Sequence, residues 1–221
     1  MRGAAPGRRA GPAALALALA VGLGGVGVGL GAGCAKAPGP VSLSPAWPET
    51  SGDYDAVTRA WTRSAILRGP YQQALELHAT FRSPAWRAAH AGREARIRGL
   101  AGAARDQRLA EGRAGAEGDY EVVLVVTTYD RSENDLHRGE RSVWRVALVD
   151  DAGVETAPTS IVRDRRPIEV LRAELPEVGD FATVYVATFP RAAAVLRDGA
   201  RRVALRMWGA RGGVELVWNG V

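Results

Sequence analysis

The spacing of apolar positions changes near residue 119, from helical before it to alternating after it. Behind Asp53, a residue suited to an N-cap, Tyr54, Val57, Trp61 and Ala65 recur three to four residues apart, and the run ends near Gly69-Pro70. Ala74, Leu75, His78 and Phe81 continue that spacing as a second helical segment. Ser83-Pro84 offers an N-cap followed by a first-turn proline, opening a third helix that runs to about Arg113. On this helix Trp86, Ala89, Ile97, Leu100 and Ala104 form a thin apolar stripe among Arg87, Arg93, Arg96, Arg98, Arg105 and Arg108, with Glu94, Asp106 and Glu111 interspersed. An interfacial helix needs bulkier apolar side chains, so the charges read as a solvated face.

From Tyr120 the period becomes that of strands. Residues 120–129, YEVVLVVTTY, are β-branched and apolar at both alternating sets of positions, the pattern of a central strand buried on both sides. Residues 142–149 form a second strand, closed by a turn at Asp150-Asp151-Ala152-Gly153. Val154–Val162 and Ile168–Leu171 read as weaker strands interrupted by Pro158 and Pro167. Phe181–Phe189 is a strong one, and Arg202–Trp208 with Val214–Trp218 a hairpin around a glycine-bearing loop. Short strands at even spacing without intervening helices predict an α+β chain. It has a helical segment over 53–118, followed over 119–221 by an antiparallel β-sandwich of immunoglobulin-like or related kind.

The first 52 residues carry no such pattern. Residues 1–12 hold Arg2, Arg8 and Arg9 and no acid, and residues 13–33 hold no charge, the order of a positive n-region and an apolar h-region. An uncleaved membrane span needs about 20 apolar residues. Seven glycines from Gly22 to Gly33 make this stretch a poor one. The run ends in Leu30-Gly31-Ala32-Gly33-Cys34, which resembles the lipobox of bacterial lipoproteins. The resemblance implies cleavage before Cys34 (signal peptide 1–33) and a diacylglycerol on its thiol. It further implies anchorage to a membrane of the bacterial cell envelope, with the folded part in the periplasm or at the cell surface. Residues 34–52, with four prolines from Pro38 to Pro48, read as a semi-stiff tether, in which Trp47 alone hints at a contact.

Charge and composition narrow the classes further. The formal charge of +5 falls to +2 once Arg2, Arg8 and Arg9 are removed with the signal, a balance unlike that of a nucleic-acid binder. Lys36 is the only lysine, and a single cysteine leaves no intrachain disulfide. His78, His90 and His137 show no paired ligand spacing, no G-x-S-x-G elbow occurs, and the glycines from Gly209 to Gly213 lead into a strand rather than a helix. Trp144, Trp208 and Trp218 fall in predicted strands, where core packing is their expected use. In DRSENDLHRGER (130–141), Asp130, Ser132 and Asn134 stand at the alternate positions of a calcium loop. Asp135 and Arg141 replace the turn glycine and the closing glutamate. These residues make a plain polar loop or a looser calcium site.

The expectation is therefore a non-catalytic, cofactor-free envelope lipoprotein. It would meet the membrane through Cys34 and an envelope protein partner as an accessory, scaffold or interaction module. The rival expectation is a calcium-dependent ligand-binding module or hydrolase using the acids of 130–135.

Overall fold

In the computed structural model, residues 38–69 and 72–221 are described. Two antiparallel sheets carry the fold. The first has the order β1 (Thr62–Arg68), β2 (Gln73–Phe81), β3 (Tyr120–Thr128), β7 (Thr183–Phe189), β6 (Ser160–Arg163). In the second the order is β5 (Glu155–Thr156), β4 (Trp144–Val149), β8 (Arg202–Gly209), β9 (Gly212–Asn219). Helices α1 (Tyr54–Trp61), α2 (Pro84–Ile97), α3 (Gly102–Glu117) and α4 (Ile168–Glu174) complete the α+β chain. Leu75, Leu77 and Phe81 of β2, Val122, Leu124 and Val126 of β3, and Tyr185 and Phe189 of β7 form one buried cluster with Leu148, Leu205, Met207 and Trp218 of the second sheet.

The central strand is buried on both faces, as its composition predicts. The other face of β3, Val123 and Val125, meets Val184, Leu171 of α4, Leu175 and Val178 in a second cluster. Pro158 marks where the chain leaves one sheet for the other, since Glu155–Thr156 pairs with β4 and Ser160–Arg163 with β7. The caps also follow the sequence: Asp53 accepts from Ala56 N at 2.9 Å and Ser83 from Trp86 N at 3.1 Å.

Four stretches depart from expectation. Thr62–Arg68 and Gln73–Phe81 are not helical but form β1 and β2, paired to each other and, through β2, to β3, so sheet and helix are interleaved within 53–118. The alternation of Leu75, Leu77, Ala79 and Phe81 on the inner face outweighs their accidental helical spacing. The predicted long helix breaks after Ile97: Gly99 takes φ +63°, Leu100 N bonds Ala95 O at 2.8 Å and Gly99 N bonds Arg96 O at 3.1 Å, a Schellman end. Ile168–Leu171 is the start of α4, because one helical face supplies Leu171 to cover Val123 and Val125. The tether is shorter than its composition implies. Val41 N bonds Asn219 O at 2.9 Å, Val221 N bonds Val41 O at 3.2 Å, and Val41 and Leu43 are buried in the main core.

Candidate functional site

Cys34, the expected lipid-bearing residue, lies outside the described residues. The loop after β3 is described, and its side-chain oxygens are engaged in bonds within the domain. Asp130 caps a 3-10 turn (Arg131–Glu133), accepting from Ser132 N at 2.9 Å and Ser132 Oγ at 2.7 Å, and these bonds hold its carboxyl below the usual range. Asn134 is buried: its Nδ2 donates to Val126 O at 2.8 Å and its Oδ1 accepts from Tyr185 Oη at 2.9 Å. Asp135, also buried, accepts from Ser142 Oγ at 2.7 Å and Val143 N at 3.2 Å. The four candidate ligands are thus the loop's own fasteners, and no three metal-binding side chains gather anywhere among the described residues. Of the tryptophans, Trp144 and Trp218 are core residues and Trp208 is half-buried. Trp47 does make a contact, its ring lying over Gly112 of α3.

Histidines show no common site either. His78 stands in β2 with Glu76 at 3.2 Å, and His137 stacks on Tyr185 with ring centroids 6.3 Å apart. Burial and the nearby Arg163 and Arg138 push the His137 imidazole below its ordinary value. His90 of α2 stacks on Trp86 at 4.8 Å and lies 3.6 Å from Glu94 and 3.7 Å from Glu174.

His90 opens onto a cleft of ≈ 530 Å³ that the sequence did not disclose. One wall is the end of β2 with α2 and α3, the other the end of β6 with the chain leading to α4, and Val162 and Val186 also line it. Its lining carries Arg82, Arg87, Arg108, Arg163, Arg165 and Arg166 against Glu111, Asp164 and Glu174. Arg82, Arg87, Asp164, Arg166 and Glu174 converge because β2 turns into α2 within three residues at Arg82 and the chain after β6 returns toward α4, whereas the guanidinium of Arg163 turns to the other face of the sheet, beside Asn134. Two glycines of α3 make the room. A Cβ on Gly115 would come within 2.8 Å of Arg87 Nη1, and one on Gly112 within 3.1 Å of Ala91 Cβ.

The charges are paired unevenly. Arg82 Nη1 and Arg87 Nη2 share the single carboxylate of Glu121 at 2.8 and 2.9 Å, and Arg82 Nε is buried with no acceptor. Burial lowers the Arg87 guanidinium from its ordinary value, against the pull of Glu121. Arg166 has two carboxylates, Asp164 at 2.8 Å and Glu174 at 2.7 Å. Burial alone would raise Glu174, but hydrogen bonds from His90 and Arg166 bring its carboxyl down to about 2. Arg108 Nε bonds Glu94 at 2.6 Å. Arg163 donates to the carbonyl of Asn134 at 3.2 Å, and neither it nor Arg165 forms an ion pair among the described residues. The lining offers guanidinium donors, carboxylates and the imidazole of His90.

No protein-family model, curated protein or solved structure matches the chain.

Proposed function

We propose that the chain is a non-catalytic lipoprotein of the bacterial cell envelope, held to a membrane by lipid on Cys34 and acting as an accessory or scaffold through its folded part. The observation that carries this reading is the charge-free run of residues 13–33 closing on Leu30-Gly31-Ala32-Gly33-Cys34 behind three arginines. Two further observations support it. No helix among the described residues is long and apolar enough to cross a membrane, so attachment by them would need another device. The chain is also fastened to the domain early, by Arg63 at the carbonyl of Gly39 and by the backbone bonds of Val41. Fully extended, the seven steps from Cys34 to Val41 reach about 25 Å at most. A partner would then have to be met close to the bilayer, as an accessory of an envelope assembly is.

The test compares wild type with Cys34→Ala in a bacterial host by intact mass and detergent partition. Detergent-phase partition and an acyl increment on a chain beginning at Cys34, both absent from the variant, are the expected result. Equal behaviour of the two chains would overturn the lipid anchor.

A further inference from the structure

The two sheets touch along β1 and β9, where Arg63 Nε bonds Val217 O at 2.7 Å, but no ladder joins β4 or β5 to β6 on the other side. On that side the register of β4 with β5 sets Val149 opposite Glu155 and Leu148 opposite Thr156. Asp150 N bonds Val154 O at 3.1 Å, which fixes the alternation: Asp150, Leu148 and Val146 direct their backbone groups toward β5. The next partner in that register, for Val146, is Pro158. Proline has no N–H to give, and the chain turns away there to build β6. Among the described residues no backbone bond reaches Val146 from residues 157–159. Across the gap, Asp164 N bonds Val184 O at 2.9 Å, so Ile161, at the alternate position of β6, turns its N–H and C=O away from β7.

Val146 and Ile161 both line one groove of ≈ 370 Å³. Leu136, Trp144, Ala157 and Pro158 complete its apolar walls, and its floor is the main core, to which Leu136, Trp144 and Val146 belong and against which Ile161 packs. Glu140 and Arg145, one acid and one base, are its charged residues, so the groove favours neither sign. A hydrocarbon would fill the apolar walls but leave the backbone groups of Val146 and Ile161 unmet, and buried backbone groups are costly to leave so. An extended polypeptide meets both demands. Its amides continue the ladder that Pro158 stops, and alternate side chains enter the groove.

We propose that this groove receives a short extended segment of a partner protein, neutral and with a bulky apolar side chain at its centre, which adds to the edge of β4 at Val146 with Ile161 as the facing wall. The site deepens the accessory role and rests on it for the existence of a partner, but makes no use of the lipid. The fold limits what can pair there, because the edge is cut short by Pro158 at one end and bounded by the 3-10 segment Leu136–Arg141, which contacts β6, at the other.

The test is NMR titration of the Cys34→Ala chain with acetyl-Thr-Val-Leu-Val-Thr-amide and its analogues bearing phenylalanine or tyrosine at the centre. Saturable binding of at least one peptide is expected, moving the amide signals of Val146 and Ile161 and the indole signal of Trp144. Ala157→Trp, an exposed change at the rim, should weaken it at least tenfold, and Ala152→Trp, exposed in the β4–β5 turn outside the groove, less than twofold. N-methylation of the three central residues removes the peptide's donors while making it more apolar, and should abolish binding. No saturable binding of any of the three peptides, or equal effects of the two substitutions, overturns the site. Equally tight binding of the N-methylated peptide also overturns it, since that marks a pocket for hydrocarbon alone. A failed titration beside an acyl increment on the wild type strikes the groove and keeps the anchor, whereas saturable binding by a chain that proves to be unacylated keeps the groove.

Discussion

The phenol of Tyr185, buried at the middle of β7, donates toward the backbone carbonyl of Asn134 at 2.7 Å and its side-chain oxygen at 2.9 Å. Asn134 also donates to Val126 O, so one side chain ties the loop after β3 to both β3 and β7. Asn134→Ala leaves buried polar groups without partners and should cost about 2–3 kcal/mol, read as a lower urea midpoint at unchanged slope. Because the same oxygen is committed inward, calcium should leave the melting midpoint of the wild type where it is. A rise with metal concentration would show that the loop opens to bind it.

Acid should weaken the fold through Glu174. Its carboxyl titrates at about 2 in the folded chain against an ordinary value of 4.5, so its contribution is complete above pH 4.5 and is lost as the pH falls from there to 2. The shift corresponds to at most about 3 kcal/mol. Glu174→Gln should melt lower than wild type at pH 7, and the gap between the two should close on the way to pH 2. A constant gap across that window would place the acid sensitivity elsewhere.

The strands from Tyr120 onward were legible because each buries a face or two, and burial writes its period into the side chains. Residues 62–81 misled because Ala74, Leu75, His78 and Phe81 fall at helical spacing while the alternating Leu75, Leu77, Ala79 and Phe81 do the packing. The Gly99-Leu100 pair after Arg96 was a readable helix stop, hidden by the arginines that continue on α3. The docked Val41 and Leu43 are two apolar residues among prolines, too few for any periodicity. The cleft was the least legible feature. Its arginines come from the β2–α2 junction, α2, α3 and the chain after β6, and nothing in a linear sequence distinguishes Arg82 and Arg87, which share one carboxylate, from arginines that are fully paired.

Leu43 measures how far the tether belongs to the fold. It is 2 % exposed and packed in the main cluster, so Leu43→Ala should cost about 2–4 kcal/mol, the usual range for a truncated core leucine. Ser42→Ala, one residue away and exposed, should lie within about 0.5 kcal/mol of wild type. Equal small effects in thermal unfolding would return residues 38–43 to the status of a free leash.

Arg63 closes the opposite edge of the sandwich from Pro158, and among the described residues it forms no ion pair there. Only 8 % exposed, its guanidinium donates to four carbonyls: Val217 at 2.7 Å, Ala60 at 2.7 Å, Thr62 at 2.9 Å and Gly39 at 3.1 Å. It also lies 5.9 Å from the ring centre of Trp218, and burial lowers it from its ordinary value. The bond to Val217 occupies an acceptor on the outer edge of β9, an edge that would otherwise invite another strand. Arg63→Met removes the cost of burying the charge but abandons four acceptors, and charged hydrogen bonds of about 1.5–3 kcal/mol each decide the sign. A net loss of about 2–4 kcal/mol is expected, with Arg63→Lys intermediate because an ammonium has three donors and no fork. Since Gly39 is one of the acceptors, Arg63→Met and Leu43→Ala both loosen the same arm and should be less than additive. Hydrogen exchange at Val41 should quicken in either variant. Strict additivity with Val41 unaltered would mean that Arg63 serves the sheet edge alone.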